Sequence, residues 1–151
     1  MLKINKNYSI IGNKLVLFNN VTEIVENDFE NFDFTEVEIN AEGNFKIGEN
    51  AFKNFKKLRF ITFTNNPKIE VSNSAFEGLE ELTKIEKGIF VSVGENAFKN
   101  CKKLDCIYLA FATYISDTAF IGCDNFHVSH FDVSDNEYLA EYVEKLDIYI
   151  E

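Results

Sequence analysis

One pattern of hydrophobic and polar positions recurs along most of the chain, over residues 24–131. Its clearest copy is IGENAFKNFKKLRFITF at residues 47–63, and related strings begin at four other positions: Ile24, Val71, Val93 and Ile115. Each copy contains a landmark phenylalanine, and the five landmarks are separated by 23, 24, 22 and 22 residues: Phe29, Phe52, Phe76, Phe98 and Phe120. A period of this length indicates a solenoid, in which stacked units share one core.

The segment around each landmark phenylalanine predicts a short helical turn. An alanine precedes the phenylalanine in four of the five copies, and another apolar residue follows it at the third position. This is helical spacing. The second position after the phenylalanine holds only asparagine or glycine, the residues that best accept the left-handed conformation that ends a helical turn. These residues are Asn31, Asn54, Gly78, Asn100 and Gly122.

A strand is predicted after each helical turn. Apolar residues occupy the ninth and eleventh positions after the landmark, as with Ile61 and Phe63, and polar or exposed positions alternate with them. Alternation with a period of two is typical of a half-buried strand. The 24-residue interval contains TNNPKIE at residues 64–70, with the single proline, Pro67, and we predict a small loop excursion there.

Both ends of the repeat region depart from the pattern and read as caps. YSIIGNKLVLF at residues 8–18 has two apolar runs around Gly12-Asn13, which predicts a hairpin. Beyond the repeats, Ser134 precedes an amphipathic pattern that predicts a capped helix, and the tail at residues 147–151 could add an edge strand. The helix would turn four residues inward: Leu139, Tyr142, Val143 and Leu146. We predict a single domain over residues 1–151, with caps at 1–23 and 132–151.

Composition excludes several classes of function. The 151 residues carry a net charge of −10, which disfavours nucleic acid and anionic membranes as partners. No window reaches the roughly 18 consecutive apolar residues of a membrane span, and the first residues lack the pattern of a secretory signal. The sequence therefore predicts no membrane insertion and, by itself, either a cytoplasmic protein or one whose secretory signal has been removed. No phosphate-binding, zinc-protease or calcium-loop motif is present, so neither a cofactor nor a metal is predicted.

The string at residues 93–109 resembles the BspA-type leucine-rich repeat. Seven residues match that repeat position by position: Val93, Ala97, Phe98, Cys101, Leu104, Ile107 and Leu109. The resemblance extends over about residues 10–131. It implies an α/β fold, a right-handed leucine-rich-repeat solenoid, here of about five to six turns with one short strand and one helical turn each. It also implies a surface-exposed or secreted location in bacteria and some protists, and a role in adhesion and protein binding rather than catalysis.

The cysteines are read in two ways. Cys101 and Cys123 occupy the same repeat position one turn apart, so a disulfide is geometrically conceivable. The favoured reading is a ladder of small buried side chains, because Phe55 and Leu79 fill the equivalent positions. Cys106 instead falls on an outward strand position. With His127 and His130 as the available bases, it leaves a cysteine-dependent hydrolase as a disfavoured alternative.

The outward residues of the strands are the candidate binding surface, because aromatic groups dominate the energetics of protein interfaces. The predicted protein-binding residues are Phe60, Thr62, Thr64, Lys84, Glu86, Cys106 and Tyr108. Glu36, Glu38 and Ala110 share the same register. The predicted function is that of a non-enzymatic protein–protein interaction module with a protein partner of unknown identity. The alternative is a self-associating structural unit, so the chain is expected to be a monomer or to self-associate weakly.

A charge pattern also repeats at the first, fourth and fifth positions after the landmark. Three consecutive copies carry trios of like charge: Lys53, Lys56 and Lys57; Glu77, Glu80 and Glu81; Lys99, Lys102 and Lys103. Stacking would place the acidic trio between the two basic ones. We predict a ladder of ion pairs between turns. Because exposed pairs contribute only about 0–1 kcal/mol each, we expect the ladder to select the register of the repeats more than to stabilise the fold.

Overall fold

Short β-strands wind the chain into a β-solenoid of about four turns. The structure is a computed structural model, and it describes residues 7–105, 107–126 and 136–145. The strands in chain order are β1 (Tyr8–Ile11), β2 (Lys14–Leu17), β3 (Glu23–Ile24), β4 (Glu36–Asn40), β5 (Asn44–Ile47), β6 (Phe60–Thr64), β7 (Lys68–Val71), β8 (Lys84–Glu86), β9 (Ile89–Val93) and β10 (Tyr114–Ile115). One helix, α1 (Glu137–Lys145), follows them in the described part of the chain.

The strands form two five-stranded sheets. The first sheet has the order β1-β2-β4-β6-β8, and the second has the order β10-β9-β7-β5-β3. Among the described strands, only β1 and β2 pair antiparallel, as the hairpin that the sequence predicts at residues 8–18, and the other neighbours pair parallel. The register places Val37 beside Ile61 and Ile39 beside Phe63, and all four side chains are buried between the sheets.

The structure corrects the prediction of one strand per repeat, because each full turn contains two. The second strand is β5, β7 or β9. In β7, Ile69 and Val71 are buried while Lys68 and Glu70 are exposed, the alternation of a strand with one buried face. The loop excursion predicted at residues 64–70 is therefore wrong. Asn65 and Asn66 form a tight turn with φ of 63° and 44°, and β7 starts soon after it.

The predicted helical turns are hydrogen-bonded β-turns instead. Backbone bonds run from Ala51 N to Gly48 O (3.1 Å) and from Lys53 N to Asn50 O (3.1 Å), a spacing of three residues. The residue two before the landmark has positive φ in the first four copies, at Asn27 (68°), Asn50 (56°), Ser74 (55°) and Asn96 (54°). A right-handed helix requires negative φ, so it cannot continue through this position.

The amide groups of these turns are bonded to the next turn of the solenoid, not along a helix. Phe52 N donates to Ala75 O at 2.9 Å, and Phe76 N donates to Ala97 O at 2.8 Å. The α/β class and the five to six turns predicted from the sequence are thus replaced by a β-solenoid of about four turns with one described helix.

The position two residues after the landmark, which holds only asparagine or glycine, has the predicted left-handed backbone in three of the five repeats. Gly78, Asn100 and Gly122 have φ of 76°, 61° and 76°. Asn31 and Asn54, at the same position, are not among the residues of positive φ in the described chain. Left-handed backbone is therefore used there in the later repeats, whereas every copy from the first to the fourth uses it two residues before the landmark.

A column of stacked phenylalanine rings fills the core next to the turns. Successive rings lie nearly parallel, with centroid separations of 4.8, 4.8, 5.2 and 4.6 Å along Phe52, Phe76, Phe98, Phe120 and Phe126. Phe29 does not continue the column and instead meets Tyr8 edge-on at 5.2 Å. The landmark residues therefore stabilise the stack by contacting the equivalent residue of the neighbouring turn.

Helix α1 lies against the C-terminal end of the solenoid. Its first turn is capped by Asn136, whose Oδ1 accepts from Leu139 N at 3.0 Å, while its Nδ2 donates to the carbonyls of Ala110 and Ala112. Leu139, Tyr142 and Val143 are buried, as their spacing predicts. The predicted cap residue Ser134, the fourth inward residue Leu146 and the tail at 147–151 lie outside the described residues.

Candidate interaction surface

The outward side of the first sheet carries side chains in regular rows. Parallel pairing aligns Glu36, Phe60 and Lys84 in one row and Glu38, Thr62 and Glu86 in the next. We call the outward residues of β2, β4, β6 and β8 the strand face: Lys14, Val16, Glu36, Glu38, Asn40, Phe60, Thr62, Thr64, Lys84 and Glu86. Five of the predicted binding residues lie together on it, because alternation along each strand turns their neighbours into the core.

The middle of the strand face is uncharged and its flanks are charged. Strand β6, which lies between β4 and β8, presents Phe60, Thr62 and Thr64, all half-buried. The charged groups beside it are largely paired with one another. Lys14 Nζ lies 2.7 Å from Glu38 Oε2, and Lys84 Nζ lies 2.6 Å from Glu86 Oε1.

Both ion pairs stay charged near neutral pH. The hydrogen bond to Glu38 raises the pKa of Lys14. The hydrogen bond from Lys84 lowers the pKa of the exposed Glu86 carboxyl. Because Lys14 and Lys84 each have a carboxylate partner within the face, these two pairs leave little net charge to attract a strongly charged ligand.

Two contacts hold side chains of the strand face in place. The guanidinium carbon of Arg59 lies 5.1 Å from the ring centroid of Phe60, a cation–π arrangement. Thr64 Oγ1 donates to Asn40 Oδ1 at 2.7 Å. A hollow of about 410 Å³ opens beside this second contact, lined by Phe18, Asn19, Asn40, Thr64 and Asn65. Sequence reasoning missed Arg59 and Asn40, although the strand register that selects Thr64 also selects Asn40.

Tyr108 is separated from the strand face in sequence but is outward as predicted. Its neighbours Ile107 and Leu109 are buried, while 47% of Tyr108 is exposed. Its ring meets that of Phe111 edge-on with centroids 6.0 Å apart, and Phe111 is 58% exposed. Phe111 was missed because it follows the predicted strand. Cys106, the remaining predicted binding residue, lies outside the described residues.

A family comparison accounts for the repeated strands and turns. The BspA type leucine rich repeat region matches residues 22–143 in six copies. The chain belongs to the BspA-type leucine-rich repeat family. This confirms the resemblance seen in the sequence. Leucine-rich repeats are generally non-enzymatic scaffolds for protein interaction, and nothing in the comparison indicates an enzymatic activity. No curated protein gives a significant match to the chain.

In these BspA-type repeats, the acidic trio forms the predicted ion pairs with only one of the two basic trios. Lys99, Lys102 and Lys103 lie 3.9, 3.0 and 2.8 Å from their acidic partners in the preceding turn: Glu77, Glu80 and Glu81. Two lysines of the earlier basic trio pair with the turn before it instead: Lys53 pairs with Glu26, and Lys57 lies 2.8 Å from Asp33. The ladder therefore joins turns in pairs rather than continuously.

The two described cysteines of the repeats, Cys101 and Cys123, form no disulfide. Cys101 Sγ donates to Phe76 O at 3.1 Å, and Cys123 Sγ donates to Phe98 O at 2.9 Å. Burial raises the pKa of the Cys101 thiol well above its ordinary value and that of the Cys123 thiol to about 12. The ladder of small buried side chains is thus the correct alternative, and neither thiol has the lowered pKa of a nucleophile.

The described residues offer no cluster for a metal ion. Within 7–105, 107–126 and 136–145, no group of three or more His, Cys, Asp and Glu side chains is arranged to hold a metal. The cysteine-dependent hydrolase stays an untested alternative, because Cys106, His127 and His130 are all outside those ranges. In the same part of the chain, no helix has both the length and the apolar character needed to cross a membrane.

Proposed function

We propose that the chain is a protein-interaction module that binds a partner protein through its strand face. The single observation that carries this proposal is the arrangement around β6, where Phe60, Thr62 and Thr64 form an uncharged stripe between charged strands. Protein interfaces commonly have this arrangement, with charged groups depleted at the centre and placed at the rim. An adhesion role would be one use of such a module.

Phe60 is the central contact in this proposal. Its ring is half-buried and oriented by Arg59, so little side-chain freedom is lost when a partner covers it. Aromatic and arginine side chains are the residues that most often dominate binding energy. Thr62 and Thr64 add hydroxyl and methyl groups on the same strand, which suits a flat partner surface more than a small ligand.

The charge balance of the strand face supports a partner of low net charge. Lys14 and Lys84 each have a carboxylate neighbour within 3 Å, so the face attracts neither polyanions nor strongly basic segments. The same reasoning disfavours nucleic acid. Binding by such a face is expected to depend on contact area and shape more than on salt concentration.

A self-associating structural unit is the second candidate function, and the exposed pair Tyr108 and Phe111 favours it. Two adjacent aromatic rings that are about half exposed would gain energy from being covered by another copy. Sedimentation equilibrium of the purified chain distinguishes the two candidates. A mass that rises with concentration and returns to monomer with Phe111→Ala supports self-association, whereas a constant monomer mass contradicts it.

The interaction proposal is tested by capture of partners with matched aromatic variants. Phe60→Ala combined with Tyr108→Ala should lose the proteins that the wild-type chain captures. Tyr114→Ala, an exposed aromatic on the second sheet, is the control and should retain them. Equal recovery with the double variant and the wild type would remove the strand face as the binding surface.

A further inference from the structure

Two Asn-x-Ser/Thr triplets meet at the N-terminal end of the solenoid. They are Asn7-Tyr8-Ser9 and Asn20-Val21-Thr22, and this triplet is the acceptor sequence for N-linked glycans. The two asparagines are 13 positions apart in the chain, yet Asn20 Nδ2 donates a hydrogen bond to Asn7 Oδ1 at 2.6 Å. Both asparagines are exposed, so the triplets present one shared patch of surface.

The surroundings of the two triplets differ. Asn20, Val21 and Thr22 lie in the loop between β2 and β3, and Thr22 is exposed there. The loop starts with a turn in which Val21 N donates to Phe18 O at 3.0 Å. All three residues of this triplet are outside the sheets, which is the position expected of an acceptor site.

The Asn7 triplet instead leads directly into a strand. Tyr8 and Ser9 are the first residues of β1, where Ser9 pairs with Val16 of β2 and is half-buried. The ring of Tyr8 also packs edge-on against Phe29 at 5.2 Å. A modifying enzyme would have to pull this triplet out of the sheet to reach it, whereas the Asn20 triplet requires no such rearrangement.

We propose that Asn20 is an N-glycosylation site, used when the chain enters a compartment that supplies a lipid-pyrophosphate-linked oligosaccharide. In the transfer, Nδ2 of Asn20 forms a bond to C1 of the donor sugar as the bond from C1 to the pyrophosphate oxygen breaks. Nδ2 loses one of its two protons, the lipid pyrophosphate leaves, and nothing is oxidised or reduced. The remaining hydrogen on Nδ2 allows the bond to Asn7 Oδ1 to persist.

The modification is compatible with the proposed interaction function. Asn20 belongs to the loop between β2 and β3 and is not one of the residues of the strand face. The glycan would cover Asn7, whose side chain is in contact with Asn20. A single occupied site is therefore expected, although the sequence contains two triplets.

The test is site mapping of the full chain secreted from a eukaryotic host behind a cleavable leader. Treatment with peptide-N-glycosidase converts each glycosylated asparagine to aspartate, which peptide mass spectrometry locates. Aspartate at position 20 with asparagine at position 7 is the expected result. An unmodified Asn20 in the secreted wild-type protein, or sugar on Asn7 alone, overturns the proposal.

Variants of the third triplet residue give the matched controls. Thr22→Ala removes the acceptor sequence while keeping Asn20, and should abolish the slower-migrating band that the glycosidase removes. Thr22→Ser retains the acceptor sequence and should keep that band, and Ser9→Ala should not change it. If Thr22→Ala is not secreted, the wild-type mapping at Asn20 and the unchanged band of Ser9→Ala decide the matter by themselves.

Discussion

The ring of Phe98 lies on that of Phe76 with 4.8 Å between centroids and 7° between planes, in a column that links successive turns. Phe98→Ala should therefore open a cavity in the middle of the column and lower the free energy of unfolding by about 3–5 kcal/mol. Urea unfolding measures this. Phe111→Ala, at an exposed aromatic, is the control and should change it by no more than about 0.5 kcal/mol. Equal effects would contradict the role of the column.

The hydroxyl of Tyr138 forms hydrogen bonds with backbone groups at the β10 edge of the second sheet. It accepts from Ile115 N at 2.6 Å and donates to Ile115 O at 3.2 Å. Tyr138→Phe leaves both backbone groups without this partner and should lower the free energy of unfolding by about 1–3 kcal/mol. Tyr142→Phe removes a bond to the Ser116 carbonyl alone and should cost less. A larger loss from Tyr142→Phe in thermal unfolding would argue against this account of α1.

The pair between Glu81 and Lys103 predicts a pH dependence. The hydrogen bond from Lys103 holds the pKa of the Glu81 carboxyl below its ordinary value of 4.5. A carboxyl whose pKa is lower in the folded state stabilises it at pH values above 4.5, and this contribution disappears as pH falls through the folded-state pKa. Wild type and Glu81→Gln should thus differ in urea midpoint near neutrality and converge in acid.

The control for this prediction is Lys103→Gln, which leaves the Glu81 carboxyl in place and removes its partner. NMR titration should show the pKa of Glu81 rising toward 4.5 in this variant. The effect on stability should be small, because both side chains are about half exposed. A Glu81 pKa that is the same in both proteins would show that the pair does not form in solution.

The two described cysteines should react slowly in the folded protein. Thiol alkylation requires the thiolate, and burial raises the pKa of Cys123 to about 12 and that of Cys101 further. Iodoacetamide labelling followed by peptide mapping at mildly alkaline pH should label both cysteines fully in concentrated urea and hardly at all without it. Rapid labelling of Cys101 in the native protein would contradict its burial in the ladder.

The strand register was predictable because it depends on alternation alone. Ile61 and Phe63 point inward, so Phe60, Thr62 and Thr64 must point outward whatever the rest of the turn does. The second strand was missed although its signal is present in Ile69 and Val71. Four residues are too few to distinguish a strand from a loop, and it is pairing with β5 and β9 that stabilises β7.

The helical turns were predicted wrongly for a related reason. Ala51, Phe52 and Phe55 have the spacing of a helix, but consecutive β-turns bury the same positions. The distinction depends on the backbone of Asn50, whose φ of 56° interrupts a helix, and on the bond from Phe52 N to the next turn. Asparagine at that position was visible in the sequence, whereas a bond between turns becomes apparent only when the turns are stacked.

The most direct test of the interaction proposal is a photo-crosslinking amino acid placed at Thr62, in the middle of the strand face. The full chain with this label, exposed to extracts of its own cells, should yield a crosslinked partner that Phe60→Ala abolishes and Tyr114→Ala retains. The same label at Lys102, on the charge ladder, should yield none of that partner. Equal crosslinking from Thr62 and Lys102, or a Thr62 product unaffected by Phe60→Ala, would contradict binding through the strand face.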